Sequence, residues 1–349
     1  MKNSSHKSVL FLALSGIGNL IMQLPTVAAL KKAHPDWHVT VWVAPRGTKA
    51  LAEAQSCIDK VIEMPIQNSF MGHIASITNL RKASYDIGIV LSPGQLVKSA
   101  AYLFFAGVPV RIGNSYPFRG NHNSSFLLTN AIQENPSLHD IEQNLQLLNP
   151  LDIHPEAVAH YSIEIPEVNK QEADEIVKEY KFEPNAAIVG MHAGSAPHFT
   201  WKRWSLERFA EVAIALIEKN PSTRILLFGG KDELDQNTSI QNVINEKFPH
   251  AAHVVSASLI TTAALLTHCK LLISNDSGLM HLAAASGVKV IGLFGPTSEV
   301  QTGPRGKDSI VVRAPGTKPV YNTESASSFG DTPHESMLAI TPEMILENI

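Results

Sequence analysis

The stretch LLISNDSGLMHLAAASGVKVIGLFGPT, residues 271–297, has two short apolar runs separated by a turn and a segment rich in small residues. Leu271–Ser274 and Val288–Phe294 have the continuous apolar character of buried strands. The turn Asn275–Gly278 carries helix-capping residues, and residues 279–286 read as a short helix. A helix that joins two buried strands in this way places them parallel, with their loops at one edge of the sheet. The stretch therefore predicts an α/β fold.

The turn inside this stretch has the groups that bind an anion. Ser277 and Gly278 would supply free backbone N–H groups at the positive end of a helix dipole. His281 falls in the first helical turn, and Asp276 stands immediately before the cap. These groups suit a phosphate or a diphosphate. The alternative is an ordinary capped helix in which His281 is one more helix residue.

Composition limits the class of protein. A chain of 349 residues with 44% hydrophobic and 17% charged residues fits a globular protein of two domains. The net charge of −4 gives no sign of nucleic-acid binding. Cys57 and Cys269 form neither a metal-site spacing nor a disulfide framework, which favours a reducing, cytoplasmic setting. Because no stretch approaches the ~20 apolar residues of a spanning helix, we expect membrane association to be peripheral.

The chain begins with a second βαβ unit. Val9–Leu14 is a buried-strand candidate, and a glycine-bearing turn then leads into a helix over residues 20–33. The turn has the G-x-G of a dinucleotide site at Gly16 and Gly18. The third glycine is missing because position 21 is Ile21, and no acidic residue directly follows the next strand. A NAD site is therefore weakly supported, and the glycines can instead admit another ligand close to the backbone.

Alternating strands and helices continue through both halves of the chain, which predicts two Rossmann-like domains facing each other across a cleft. The expected organisation is a first domain over residues 1–165, a second over residues 166–335 and a closing helix over residues 336–349. Between two units of the first domain, residues 114–123 form a polar loop that is either functional or plain surface. Two of its residues are candidate ligands for a substrate of the first domain: Arg119 and His122.

In the second half, four further polar segments follow predicted strands and so open onto the same sheet edge as the turn at Asp276. Lys202 would give a point charge for phosphate, a serine hydroxyl would add a hydrogen bond, and Glu233 or Asp232 would bind ribose hydroxyls. Singly, each segment could be a turn or a solvated pair, but together they favour a nucleotide-diphosphate site. The candidate residues outside the turn are Gly194, Ser195, Lys202, Glu233 and Ser258.

These segments make the chain resemble glycosyltransferase family 9, the lipopolysaccharide heptosyltransferases of GT-B fold. The matching segments are SGIGNLIMQLPTVAALKKAHP from Ser15, HAGS and KRWSLERFAEVA from His192, LLFGGKDE from Leu226, and SNDSGLMHLAAASGVKVIGLFGPT from Ser274. The ending ITPEMILENI also matches the family's closing helix. The D-S-G-x-x-H turn followed by GPT is the most specific of these segments, and the resemblance covers nearly the whole chain.

The resemblance implies an inverting, metal-independent transfer without a cofactor, from an ADP-heptose-like donor to a lipopolysaccharide core or similar surface glycan. The donor would lie on the second domain, and a lipid-linked or oligosaccharide acceptor on the first, at the inner face of the membrane. The last helix would cross back to pack on the first domain. Glu233 would contact ribose, and adenine would lie along the segment of Ser258. The diphosphate would be held by Lys202, Asp276, Ser277, Gly278 and His281.

The family's first glycine turn commonly ends in Asp, the position of its catalytic base, and this chain has Asn19 there. An amide can orient a hydroxyl but cannot accept its proton at neutral pH. Another group, such as His122 or Asp140, could act as base, the leaving group could do most of the work, or the chain could bind without transferring. The family's cysteine-bearing tail is also absent, with Ser336 near that place.

Three alternatives to a transferase stay open. The first is a nucleotide-sugar binding protein without turnover, which Asn19 would explain. The second is a NAD-dependent oxidoreductase, against which the missing third glycine argues. The third is a sugar-nucleotide epimerase of similar fold.

Overall fold

The computed structural model describes residues 6–45, 47–65, 69–94, 96–116, 125–158, 161–183, 185–321 and 329–349. The chain forms two compact units, Met1–Val158 and Ala159–Ile349. In this article they are called the first unit and the second unit.

The first unit is a six-stranded parallel sheet with the strand order β3-β2-β1-β4-β5-β6. β1 is buried along almost its whole length, which explains the continuous apolar sequence VLFLA. The strands are β1 Ser8–Ala13, β2 His38–Val43, β3 Lys60–Glu63, β4 Ile87–Val90, β5 Val110–Ser115 and β6 Asn130–Gln133. The helices are α1 Ile17–Ala33, α2 Thr48–Glu53, α3 Phe70–Ala83, α4 Leu96–Phe105 and α5 Asp140–Leu145.

The second unit repeats this topology, with the strand order β12-β11-β10-β7-β8-β9. Its strands are β7 Ala187–His192, β8 Thr223–Leu227, β9 Ala252–Val254, β10 Leu271–Asn275, β11 Lys289–Leu293 and β12 Ile310–Val312. Its helices are α6 Glu167–Glu179, α7 Leu206–Lys219, α8 Leu234–Lys247, α9 Leu259–Leu266, α10 Gly278–Ala285, α11 Glu299–Thr302, α12 Glu335–Leu338 and α13 Pro342–Leu346.

Each sheet has one point at which the strand order reverses. In the first unit it lies between β1 and β4, and in the second between β7 and β10, because successive strands are added first on one side and then on the other. Ligands of doubly wound sheets bind at this point, outside the carboxyl ends of the strands. The sheet topology therefore marks two places for ligands before any side chain is considered.

Backbone and side-chain contacts show which segments pack at the two ends of the second unit. The boundary precedes residue 165, because the Ile163 N–H already donates to the carbonyl of Ala285, at 3.0 Å. The closing helix belongs to the second unit: α13 packs on α7, and Ile340 and Ile345 are fully buried in that unit's core. Trp204 donates its indole N–H to the Ile340 carbonyl at 3.0 Å, which fixes the chain before α13. The expected packing of this helix on the first domain stays a prediction.

Two further differences concern local structure. α1 begins at Ile17 and continues through Pro25, so this proline neither starts nor ends the helix. The strands β6 and β12, one edge strand of each sheet, were not predicted from the sequence. Both are short and only partly buried, so they lack the continuous apolar run that marks the central strands.

Candidate functional site

Asn275, the last residue of β10, joins the chain segments at the reversal point of the second sheet. Its side chain is fully buried. The carboxamide oxygen accepts from the Trp204 backbone N–H at 3.1 Å, and the amide donates to the Ala193 carbonyl at 2.7 Å. One side chain thus holds together the ends of β7 and β10 and the loop that carries Lys202. We did not identify this role from the sequence, where Asn275 is only the first residue of a turn.

The turn that follows β10 starts a helix as predicted. Ser277 is the N-cap of α10, and its hydroxyl accepts from the Met280 N–H at 3.3 Å. Gly278 is the first helical residue. The start of α10 therefore lies at the carboxyl edge of the sheet, with the backbone N–H groups of its first turn available to an anion.

Lys202 and Asp276 form an ion pair beside this helix start. Lys202 Nζ lies 2.7 Å from Asp276 Oδ2, and the two side chains are 15% and 7% exposed. Burial alone would raise the pKa of Asp276, but the adjacent Lys202 ammonium outweighs it and holds the pKa below its ordinary value. The site therefore contains a paired carboxylate and ammonium.

His281 completes this cluster as a neutral group. It is buried, and burial lowers its pKa to about 4. The Asp276 carboxylate opposes this shift, whereas the Lys202 ammonium adds to it. At neutral pH the imidazole can offer one N–H to a ligand but no positive charge. Lys202 is therefore the cation of the cluster.

Three aromatic rings also lie close to the Lys202 ammonium. Its Nζ lies 5.1 Å from the ring centre of Phe199, 5.6 Å from that of Trp201 and 5.9 Å from that of Tyr321. Cation–π attraction favours an ammonium in this position. Tyr321 comes from a distant loop with no sequence pattern, so the ring cluster could not be read from the sequence.

Glu233 lies against the backbone at the end of β7. One carboxylate oxygen accepts from the Gly230 N–H at 2.9 Å, and the side chain is buried. A Cβ placed on Gly194 would stand 1.5 Å from the other oxygen. The structure thus brings Gly194 and Glu233 together, as the shared sheet edge predicts, and only glycine leaves room for the carboxylate.

The two predicted serines have different surroundings. Ser195 is buried, and its hydroxyl donates to the Phe199 carbonyl at 2.8 Å and accepts from Arg203 Nε at 3.0 Å. Its hydroxyl therefore holds the Lys202 loop in shape. Ser258 is the N-cap of α9 and accepts from the Thr261 N–H at 3.2 Å. It lies after β9, at the same sheet edge as the charged cluster.

The predicted acceptor-side residues divide into two groups. Gly16 precedes α1, and Gly18 and Asn19 form its first turn at the carboxyl end of β1. These three stand at the reversal point of the first sheet. Arg119 and His122 lie outside the described residues. Ser336, which stands near the family's tail cysteine, is buried in the second unit, with its hydroxyl 2.7 Å from His334 Nδ1.

A metal site would need several ligating side chains to converge within the described residues. In those ranges, no group of three or more His, Cys, Asp or Glu side chains is arranged to hold a metal ion.

The model for the family described as glycosyltransferase family 9 (heptosyltransferase) matches residues 74–331, which is more than half of the chain. The chain belongs to glycosyltransferase family 9. It is 27% identical to lipooligosaccharide heptosyltransferase 2 of Haemophilus influenzae, over 98% of each chain. The family assignment makes this protein a glycosyltransferase and confirms the resemblance read from the D-S-G-x-x-H turn.

Solved structures agree on the fold. The structure of E. coli ADP-heptose lps heptosyltransferase II has a TM-score of 0.77 at 23% identity and covers 98% of this chain and 97% of its own. An E. coli heptosyltransferase solved with ADP-2-deoxy-2-fluoro heptose has a TM-score of 0.70 at 22% identity, covering 97% and 98%. The two parallel-sheet units are therefore those of a GT-B glycosyltransferase.

Proposed function

We propose that this glycosyltransferase transfers a heptose, or a related sugar, from an ADP-sugar to a lipopolysaccharide core or a similar surface glycan, with inversion at the anomeric carbon. The observation that supports it most strongly is the charged cluster at the start of α10. Lys202, Asp276 and His281 meet there at the reversal point of the second sheet. We propose heptose as the sugar because the relatives are named as heptosyltransferases.

In this proposal the second unit holds the donor. The diphosphate lies at the start of α10, where the N–H groups of Ser277 and Gly278 and the Lys202 ammonium face it. To reach the phosphate, Lys202 exchanges its bond with Asp276 for one with the ligand. Glu233 contacts the ribose hydroxyls, and adenine lies along the segment of Ser258.

The same groups stabilise the leaving group. As the bond between the anomeric carbon and the diphosphate breaks, negative charge collects on the departing phosphate oxygens. Lys202 and the helix start are already in place to receive that charge, which is the most effective form of electrostatic catalysis. We therefore propose that the transfer needs neither a metal ion nor a cofactor, since the chain itself supplies the positive charge.

The test is an assay of the purified protein with ADP-heptose and a lipopolysaccharide truncated at its inner core, with and without EDTA. We expect transfer both with and without EDTA. NMR of the product should show that the anomeric configuration of the transferred sugar is opposite to that in the donor. Calorimetry with ADP supplies a separate measure of the donor site. ADP binding without transfer to any acceptor would instead establish a nucleotide-sugar binding protein, and loss of transfer in EDTA would overturn metal independence.

We further propose that the first unit meets the cytoplasmic surface of the inner membrane, where a lipid-linked acceptor would lie. No helix within the described ranges is long and apolar enough to cross a bilayer. However, α3 and α4, which pack side by side, expose apolar side chains on their outer faces, and Arg81 and Lys82 at the end of α3 add positive charge. The exposed apolar residues are Phe70, Met71, Ile74, Val97, Phe104 and Phe105.

Sedimentation with anionic phospholipid vesicles tests this contact. Large aromatic side chains and basic residues together bind an anionic lipid surface. Replacing Phe70 and Met71 with Ser should reduce the bound fraction several-fold. Val243→Ser removes an exposed apolar side chain from the second unit and is the matched control. Equal sedimentation of all three proteins would contradict a membrane contact through α3.

A further inference from the structure

Two buried amide side chains converge at the reversal point of the first sheet. Gln23, on α1, donates to the Ser92 carbonyl at 3.2 Å, and Asn144, on α5, donates to the same oxygen at 2.6 Å. The Asn144 carboxamide oxygen also accepts from the Ser92 N–H at 2.8 Å. Because both amides bond to one carbonyl just after β4, the side chains of Gln23 and Asn144 lie next to each other.

Asn19 and Asp140 stand one helical turn before these two residues, Asn19 before Gln23 and Asp140 before Asn144. α1 and α5 both follow strands of a parallel sheet, so both begin at its carboxyl edge and run in the same direction. The two helices pack on each other. Residues four apart occupy one face of a helix, so we expect Asn19 and Asp140 to lie near each other at the carboxyl edge.

Local contacts keep these two helix starts together. Met22 of α1 packs with Ile141 and Leu145 of α5 in a small apolar cluster. The Asn144 amide donates a further hydrogen bond, at 2.7 Å, to the backbone carbonyl of Asp140. The position of Asp140 is therefore fixed through Asn144 by the same Ser92 backbone that holds Gln23.

The two residues of each helix differ in burial, so a substrate can reach only the pair nearer the sheet edge. Gln23 and Asn144 are 0% exposed, whereas Asn19 and Asp140 are each half-buried at the sheet edge. Glu142 is the other carboxylate in the first turn of α5, and it lies 3.8 Å from His139 Nδ1. Within the described part of the chain, the buried Gln23 side-chain oxygen has no hydrogen-bond partner. The edge therefore carries an amide and a carboxylate, and the unused Gln23 acceptor is buried one helical turn away.

We propose that Asp140 is the catalytic base for the acceptor, with Asn19 orienting the hydroxyl that reacts. The inference rests on the proposed transferase function. The Asp140 carboxylate removes the acceptor O–H proton while that oxygen bonds to the anomeric carbon. The bond from this carbon to the diphosphate oxygen breaks, and its electron pair leaves with ADP. Asn19 cannot take the proton but can accept and donate hydrogen bonds.

The main test compares Asp140→Asn with Glu142→Gln in the ADP-heptose assay. Removal of a general base costs about 10²- to 10⁴-fold in kcat. We expect that loss for Asp140→Asn, with an unchanged Kd for ADP by calorimetry and with loss of the acidic limb of the pH–kcat profile. Glu142→Gln should stay within about threefold of wild type. A similar loss in both variants, or wild-type kcat for Asp140→Asn, would overturn the assignment.

Asn19→Asp provides a rescue in the Asp140→Asn background. A carboxylate on the neighbouring helix turn should recover at least tenfold of the lost kcat, because it restores a base within reach of the same acceptor hydroxyl. The unchanged ADP affinity of the second unit and the melting temperature show that each variant is folded. No recovery in the double variant contradicts the neighbouring placement of the two residues.

The wild-type and Asn19→Asp proteins separate failure of the base from failure of the proposed function. An inactive wild type with an active Asn19→Asp variant would overturn Asp140 as base, because the native chain would then lack one, but would leave the donor chemistry standing. If neither protein transfers from ADP-heptose, the proposed function is wrong and the base assignment is wrong with it.

Discussion

The two sheets have the same topology but their reversal points hold different chemistry. The second carries Lys202, Asp276 and His281 within one buried cluster. The first carries amides around the Ser92 backbone, with Asp140 as the charged group at its edge. A diphosphate requires positive charge and N–H donors, whereas a sugar hydroxyl requires hydrogen bonds and one base. In the proposed transfer, the same fold would serve two ligands through the residues placed at one topological position.

Among variants of the second unit, Lys202→Ala should have the largest effect, because it removes the cation of the proposed donor site. Losing one such donor of charge stabilisation costs about 10²- to 10³-fold in kcat. It also leaves Asp276 as a buried, unpaired carboxylate, which destabilises by about 3–5 kcal/mol. Steady-state kinetics and thermal unfolding measure the two effects. Lys247→Ala, at an exposed ion pair with Glu218, is the control and should change neither.

Gly194→Ala and Gly16→Ala compare the two reversal points directly. The new Cβ at position 194 would overlap the Glu233 carboxylate, whereas at position 16 nothing lies within 4 Å. We expect Gly194→Ala to lose about 1–3 kcal/mol of stability and at least tenfold in ADP affinity. Gly16→Ala should unfold like the wild type, within about 0.5 kcal/mol. Equal unfolding free energies for the two variants would show that Glu233 moves freely.

The neutral state of His281 gives the second unit a pH dependence. The folded pKa of about 4 lies below the ordinary value of 6.5, so the unfolded chain binds more protons between those limits. Stability from this residue is therefore full above pH 6.5 and is lost as pH falls towards 4. At pH 5 the loss is about 2 kcal/mol, from 1.36 kcal/mol per pKa unit.

Chemical unfolding at pH 7 and pH 5 measures this loss. His281→Asn removes the titrating group, so its unfolding free energy should change less between the two pH values than that of the wild type. The comparison uses only the change with pH, because the substitution itself alters a buried site. An identical change in both proteins would assign the pH dependence to other groups.

Tyr321→Leu should have the smallest effect. The ring is one of three around the Lys202 ammonium, and a cation–π contact at a partly open site contributes about 0.5–1 kcal/mol. We expect ADP affinity to weaken by about two- to fivefold, as measured by calorimetry. Tyr321→Phe keeps the ring and should bind ADP like the wild type. If Tyr321→Leu weakened ADP binding as much as Lys202→Ala does in the same calorimetric experiment, Tyr321 would have to contact the nucleotide.

More of the candidate site could be predicted from the sequence in the second unit than in the first, and the reason is physical. Its ligand groups come from one continuous turn, Asp276 to His281, and from loops that directly follow apolar strands. A parallel sheet brings such loops to one edge, so their meeting could be expected from order alone. The structure shows two such meetings between loops at this edge. Lys202 forms an ion pair with Asp276, and Gly194 lies against Glu233.

Other parts of both sites depend on long-range contacts that leave no local pattern. Asn275 bonds to chain segments 71 and 82 residues away, and Asn144 to a backbone 52 residues away. Each is an ordinary amide in the sequence. The neutral state of His281 likewise follows from the burial of its imidazole. The sequence of the helix, which is rich in small residues, does not predict how deeply this side chain is buried. Such features require the three-dimensional packing, as do the short edge strands β6 and β12.

The hydrogen bond from Trp204 to the Ile340 carbonyl has a consequence for how the protein is made. It joins the loop of Lys202 to a residue 136 positions later in the chain. At about 5–20 residues per second, synthesis of that interval takes roughly 7–27 s. During this time a nascent chain has the whole first unit outside the ribosome, while the loop of Lys202 still lacks its anchor. The second unit is thus completed only after translation passes Ile340, whereas the first unit can fold earlier.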